Sequence, residues 1–328
     1  MDELLNISDL YVQYNTDDAT VHAVNGVNLV IHKGEAMGLV GETGAGKTTT
    51  ALSILNILPE KVGQITRGSV VYGGKDVRTM NKRELRAMRG KQISMIFQDP
   101  MTSLNPIITV GDQIGEMLKL HFKNMGKEER AQRTDEILRL VGIPAERKNE
   151  YPFQFSGGMK QRIGIAIALV CQPDLLIADE PTTALDVTIQ AQILQLMREL
   201  KQNFNTAMIM ITHDLGIVAE TCDSVSVMYA GEIIESGTVE DVFQKIDNHP
   251  YTVGLFNCIP KLDSTEKRLT PIEGFMVDPT NLPTGCKFHD RCPYATERCG
   301  SELPKGYKKG THEIKCFRYE HWGKEEQA

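Results

Sequence analysis

Eight consecutive residues, Gly41-Glu42-Thr43-Gly44-Ala45-Gly46-Lys47-Thr48, fit the pattern G-x-x-x-x-G-K-[ST]. The apolar run at 36–40 leads into them, and a helix-compatible run over 49–58 leads out. Strand, glycine-rich turn and helix in that order form the context in which this pattern makes a phosphate-binding loop. Gly41, Gly44 and Gly46 let the backbone bend back so that successive N–H groups face one point, where the helix N-terminus adds positive field. Lys47 reaches towards β- and γ-phosphates, and Thr48 offers a hydroxyl to Mg²⁺. Glu42, Thr43, Ala45 and Thr49 complete the expected nucleotide-binding stretch. The motif implies a nucleoside triphosphate ligand.

The rest of the composition narrows the classes. At 328 residues the chain is long enough for two domains, with a formal net charge of -7. Acidic and basic residues are mixed and no long Lys/Arg block occurs, so nucleic acid is not an expected partner. Met1-Asp2-Glu3 lacks the charged and apolar regions of a secretory signal. No apolar run approaches the roughly 18 to 20 residues that span a bilayer. A soluble protein is expected, with any membrane role exercised through a partner.

Taken in order, residues 4–14 and 21–31 read as antiparallel strands from partial alternation, with Tyr14 placed to stack on a nucleotide base and Tyr11 as the competing aromatic. A strand and turn around Gly73-Gly74, a helix over 81–90 and a short buried strand over 93–97 follow. That strand ends at Gln98-Asp99-Pro100, where Gln98 can reach a Mg²⁺ or an attacking water. Residues 101 to about 160 read as a mostly helical insertion, with apolar positions at Val110, Ile114, Met117, Leu118, Ile137, Leu138 and Val141. Next come Phe155-Ser156-Gly157-Gly158-Met159 and an apolar helix over 163–171; Ser156 caps it, and the two glycines leave N-terminal amides bare to an anion. The apolar strand 175–178 leads to Asp179-Glu180, where Asp179 can hold Mg²⁺ through water and Glu180 can polarise the attacking water. Thr183-Ala184-Leu185-Asp186 precedes a helix over 188–202, and a buried strand over 207–211 closes on Thr212-His213-Asp214, which makes His213 a γ-phosphate sensor candidate.

Phosphate loop, Gln98, Ser-Gly-Gly, Asp179-Glu180, Asp186 and His213 in this order resemble the nucleotide-binding domain of ABC transporters, over residues 4–240. The resemblance implies an α/β P-loop ATPase core with an antiparallel β subdomain and a helical subdomain at about 101–165. It makes Gln98 the Q-loop glutamine, residues 155–159 the signature, Asp179 the Walker B acid, Glu180 the catalytic base, Asp186 a D-loop residue and His213 the switch histidine. The common signature reads Leu-Ser-Gly-Gly-Gln; Phe155 and Met159 replace its ends, while Ser156, Gly157 and Gly158 remain. The family geometry also implies that the signature of a second cassette, identical or homologous, covers the ATP bound here.

The tail carries a finer resemblance. Residues 231–237 read as turn-rich, 239–245 as a helix, and Asn248-His249-Pro250-Tyr251-Thr252 opens another helix with Pro250 in its first turn, running to Ile259-Pro260. His-Pro-Tyr-Thr, together with the region 98–106, resembles the ATPases of dipeptide and oligopeptide importers, some of which serve nickel. Two permease subunits, an extracytoplasmic substrate-binding protein and a place on the cytoplasmic face of the membrane follow from that likeness, as do the alternatives of nickel or another solute. A soluble ABC ATPase of translation or DNA repair is the reading from a different class. In residues 241–328, Cys286, Cys292, Cys299 and Cys316 crowd a Pro-, Gly- and Thr-rich segment that needs a staple. Four thiolates suit Zn²⁺ or an iron–sulfur cluster; no close Cys pair is present and Pro293 follows Cys292, which favours [4Fe–4S]. His289 and His312 are the alternative ligands, expected at the surface.

Overall fold

The structure is a computed structural model that describes residues 2–98, 103–183, 185–244, 246–259 and 271–322. Asp99, Pro100, Met101 and Thr102 after the Q-loop glutamine, Ala184 before Asp186, and the expected helix ends Lys245 and Pro260 lie outside the described residues. The chain divides into two compact units, one of residues 1–3, 31–36 and 79–211, the other of residues 4–30, 37–78 and 212–328.

The first unit is built on three strands, β6 (Ile93–Ile96), β7 (Leu175–Asp179) and β8 (Ala207–Thr212), paired in parallel with Ile93 opposite Leu175 and Leu175 opposite Ala207. Every residue of β7 and β8 is buried, as continuous apolar runs covered on both faces require. Helices Val110–His121, Lys127–Leu140, Gly157–Leu169 and Val187–Phe204 supply the rest. The helical pattern over 110–141 is thus two helices, interrupted where Asn124 and Gly126, poor helix formers, stand. The expected helix over 81–90 is Lys82–Met88, and its start is explained by a capping box: Asn81 accepts from the Glu84 N–H while Glu84 accepts from the Asn81 N–H.

The second unit holds an antiparallel sheet in the order β2-β1-β4-β5, from β1 (Glu3–Asn15), β2 (Thr20–His32), β4 (Gly63–Tyr72) and β5 (Lys75–Asp76). It also holds β3 (Ala36–Val40), parallel to β9 (Ser224–Tyr229), with β10 (Glu232–Thr238), β12 (His312–Ile314) and β11 (Tyr307–Lys309) added antiparallel in turn. Residues 231–237, expected as turns, therefore form a strand: Ala230 and Gly231 turn with positive φ, and Ile233 and Ile234 then go inside. The helix after the phosphate loop runs Lys47–Ile54, starting earlier and ending sooner than expected because Asn56 adopts φ 51°. Among the described residues no helix is long and apolar enough to cross a membrane.

A buried carboxylate organises the C-terminal part. Glu235 of β10 accepts from Asn248 Nδ2 (2.8 Å), the His249 N–H (2.9 Å) and His312 Nε2 (2.8 Å). His312, expected at the surface, is thus buried and engaged away from any cysteine. Burial pushes His249 down to about 3, so its neutral ring leaves Nδ1 to accept from the Tyr251 N–H at 3.1 Å and cap helix Pro250–Asn257.

Candidate nucleotide site

In the second unit, β3 delivers the chain to Gly41, whose φ of 151° and contact with the Met228 carbonyl leave no room for a Cβ. Gly46, at φ 102°, faces the Ala23 carbonyl in the same way. Hydrogen bonds from the Ala45 N–H to the Glu42 carbonyl (3.1 Å) and from the Gly231 N–H to the Ala45 carbonyl (2.9 Å) hold the loop. Lys47 is buried, its Nζ donating to the carbonyls of Gly41 (2.8 Å) and Glu42 (3.0 Å), while Thr48 is exposed in the first helical turn. This is a cationic pocket floor beside a helix N-terminus, suited to phosphate. The Tyr14 hydroxyl donates to Thr49 Oγ1 at 3.2 Å, next to the loop. Tyr11 instead lies beneath the Arg67 guanidinium, 5.3 Å from its ring centre. His213 is exposed after β8, directly before Asp214, which caps helix Leu215–Thr221.

Two contacts on this loop had no signal in the sequence. The Glu42 N–H donates to the Tyr251 hydroxyl at 2.8 Å, across 209 positions of chain. The Glu42 carboxylate is gripped by Arg291 through Nη1 (2.8 Å) and Nη2 (3.1 Å), across 249 positions. The His-Pro-Tyr stretch is therefore more than a capped helix: His249 caps, Pro250 starts the helix, and Tyr251 reaches the phosphate loop.

In the first unit, Asp179 ends β7 and is 3% exposed. Glu180 follows with a left-handed φ of 46°, an uncommon conformation for a side-chain-bearing residue, and such strain is concentrated at working sites. Its Oε2 accepts from Gln98 Nε2 and from Thr183 Oγ1, both at 2.9 Å. The structure thus brings Gln98 and Glu180 together and adds Thr183, which the sequence reading had passed over. Ser156 caps helix Gly157–Leu169 by accepting from the Met159 N–H. Gly157 is open, whereas a Cβ on Gly158 would press 2.6 Å from Ile189 Cγ2, so close packing on helix Val187–Phe204 requires that glycine. Phe155 and Met159, the departures from the common signature, share one partner: Arg147 lies 4.2 Å over the Phe155 ring and donates to Met159 Sδ at 3.5 Å. Asp186 caps the same Val187–Phe204 helix, accepting from the Ile189 N–H at 3.0 Å.

Cys286, Cys292, Cys299 and Cys316 line one cavity of about 220 Å³ in the second unit, with Phe288, His289 and Pro304. The Cys286 N–H donates to the Cys299 carbonyl at 2.8 Å, and His289 turns back on Cys286. Burial pushes the Cys286 thiol up to about 12 and raises those of Cys292 and Cys316, and each feels the charge of its neighbours. Among the described residues, however, no three His, Cys, Asp or Glu side chains are drawn together as ligands of a metal ion. The thiols share a cavity without closing on a point.

Comparison with known proteins fits this geometry. Residues 24–183 match the ABC transporter family model, and residues 234–299 match that of the oligopeptide/dipeptide transporter C-terminal region. The dipeptide transport ATP-binding protein DppD of Bacillus subtilis is 48% identical, over 97% of this chain and 95% of its own length. The oligopeptide transport ATP-binding protein OppD of Escherichia coli is 50% identical, over 92% of this chain and 89% of its own. Among solved structures, the dimeric post-hydrolysis state of the ATP-binding cassette MJ0796, bound to ADP and Pi, superposes with a TM-score of 0.65 at 27% identity, covering 72% of this chain and 98% of that one. With the phosphate loop, the strand-end carboxylates and the C-terminal region all in place, the chain belongs to the ABC transporter family, among the ATP-binding proteins of dipeptide and oligopeptide transport.

Proposed function

We propose that this chain is the ATP-hydrolysing subunit of an importer for dipeptides or oligopeptides. The observation that carries it is the phosphate loop, whose glycines hold the backbone in a bend that no other residue fits and whose lysine is buried at its centre. Lys47 exchanges its bonds to the loop's own carbonyls for phosphate oxygens. Tyr14 stacks on the base, and residues 41–49 supply backbone donors. Thr48, Gln98 and Asp179 would hold Mg²⁺, which neutralises charge developing on the phosphates. Glu180, oriented by Thr183, takes the proton of the attacking water, and His213 senses the γ-phosphate. Ser156, Gly157 and Gly158 cover ATP held by a second cassette, identical or homologous, with Asp186 at that junction. A permease pair receives the motion through the surface near Gln98 and the helical region 101–165, at the cytoplasmic face of the membrane, and an extracytoplasmic binding protein delivers peptide.

Cys286, Cys292, Cys299 and Cys316 line one cavity, and their wide spacing, with Pro293 directly after Cys292, favours [4Fe–4S] over Zn²⁺ as its occupant. Cys286, Cys292, Cys299 and Cys316 would hold it, and the cluster would staple a segment poor in apolar residues.

Replacing Glu180 by Gln is expected to lower ATP turnover by about 10²- to 10⁴-fold while leaving nucleotide binding intact, with the ATP-bound pair accumulating. Full hydrolysis in Glu180→Gln would remove Glu180 from the mechanism.

A further inference from the structure

The grip on Glu42 has a shape that its surroundings explain only in part. Glu42 is the second residue of the phosphate loop, and it is held twice from the C-terminal region. Its N–H is taken by the Tyr251 hydroxyl and its carboxylate by the Arg291 fork. Arg291 is itself fixed: Nε donates to the Glu273 carbonyl at 3.0 Å, Nη1 to the Tyr229 hydroxyl at 3.4 Å, and its side chain is 4% exposed. Its guanidinium lies 5.8 Å from the Tyr229 ring centre and 5.9 Å from that of Phe288. A buried, planar, doubly bonded arginine is a rigid strut, because its fork matches a carboxylate in one geometry only.

The other end of the strut is the cysteine cavity. Arg291 directly precedes Cys292, in the one-turn helix His289–Arg291 that Phe288 opens and whose His289 N–H donates to the Cys286 carbonyl. Phe288 lines the cavity and packs edge-on against both Tyr229 (5.2 Å) and Tyr251 (5.4 Å), the two tyrosines that meet Arg291 and Glu42. Met276, from the same region, reaches the face of Gly44. A continuous set of buried rings and charge-assisted bonds thus joins the cysteine-lined lobe to the loop that takes phosphate.

We propose that Arg291 and Tyr251 are positioning residues for the phosphate loop, and that through them the order of the four-cysteine lobe sets the affinity for nucleotide. Lys47 bonds the Gly41 and Glu42 carbonyls, so the residue that Arg291 holds also shapes the lysine's seat. Loosening Glu42 lets the loop's donors drift from a common focus, and loss of one hydrogen bond to a charged phosphate oxygen weakens binding about tenfold or more. The effect falls on binding rather than on the chemical step, because Glu180 is not touched.

This rests on the ATP reading above, and the test separates the two. With the full chain, its metal content measured for each preparation, ATP affinity is determined at equilibrium and turnover at saturating ATP. Arg291→Met is expected to weaken ATP binding about tenfold with saturated turnover within about twofold of wild type, and Glu42→Gln to weaken ATP binding about tenfold. The double variant is expected to be no weaker than either single, because both break the same ion pair. Tyr251→Phe shifts affinity in the same direction, and Arg291→Lys recovers part of it, having charge without the fork. Glu42→Gln keeps every C-terminal residue unchanged, so it reads the strut even where Arg291→Met folds poorly. Wild-type affinity in Glu42→Gln, or strictly additive losses in the double variant, overturns the proposal. No ATP binding by the wild-type chain would instead overturn the ATP reading itself.

Discussion

The phosphate loop and the four-cysteine lobe lie in the same compact unit and reach order by opposite means. The loop is made by backbone: eight consecutive residues, bent at glycines and closed by its own amides and carbonyls. The lobe is made by side chains drawn from far apart, with Glu235 collecting Asn248, His249 and His312 and Arg291 collecting Tyr229 and Glu42. The loop takes its bend from its own glycines and borrows only a few distant partners, among them the Tyr251 hydroxyl and the Arg291 fork on Glu42. A network of buried polar groups is held together only while every member is satisfied.

The contrast can be broken from either side. The largest effect is expected from Gly41→Ala. A Cβ there meets the Met228 carbonyl at a φ that L-residues avoid, so ATP binding should be lost outright in an equilibrium nucleotide assay. A variant that still binds ATP would mean that the loop tolerates rearrangement. Glu235→Ala attacks the lobe instead, leaving three donors without their acceptor. Stability should fall by about 3 kcal/mol, read as a lowered midpoint in chemical or thermal unfolding. An unchanged midpoint would show that water can replace the carboxylate. The smallest effect belongs to Cys171→Ala. Cys171 is 5% exposed in the first unit, its thiol pushed up to about 11 by burial, and it takes no part in either region. Its loss should cost about 1 kcal/mol and leave bound iron or zinc unchanged by elemental analysis; a drop in metal would misplace the ligand set.

How much was legible follows the same division. The strands carrying the candidate site, β3, β7 and β8, stand where their apolar runs placed them, because a fully buried parallel strand leaves an unbroken signature. The phosphate loop is legible because its pattern is carried by eight consecutive residues. The ends of helices were less so: Asn56 in a left-handed turn stops Lys47–Ile54, and nothing periodic announces it. Strand β10 was read as turns, since two glycines and three polar residues mask Ile233 and Ile234. Tyr251 and Arg291 had no reading at all as partners of Glu42, for contacts across more than 200 positions leave no pattern in one sequence. Arg147 was equally silent, although it accounts for both unusual signature residues at once.

The amide of Gln98 resting on Glu180 has a consequence for water. The Gln98 amide and the Thr183 hydroxyl both sit on Oε2, so an attacking water must share that oxygen with two donors or approach the other one. Engaging water at Glu180 is therefore a contest for room on one carboxylate, and the glutamine is one of the contestants.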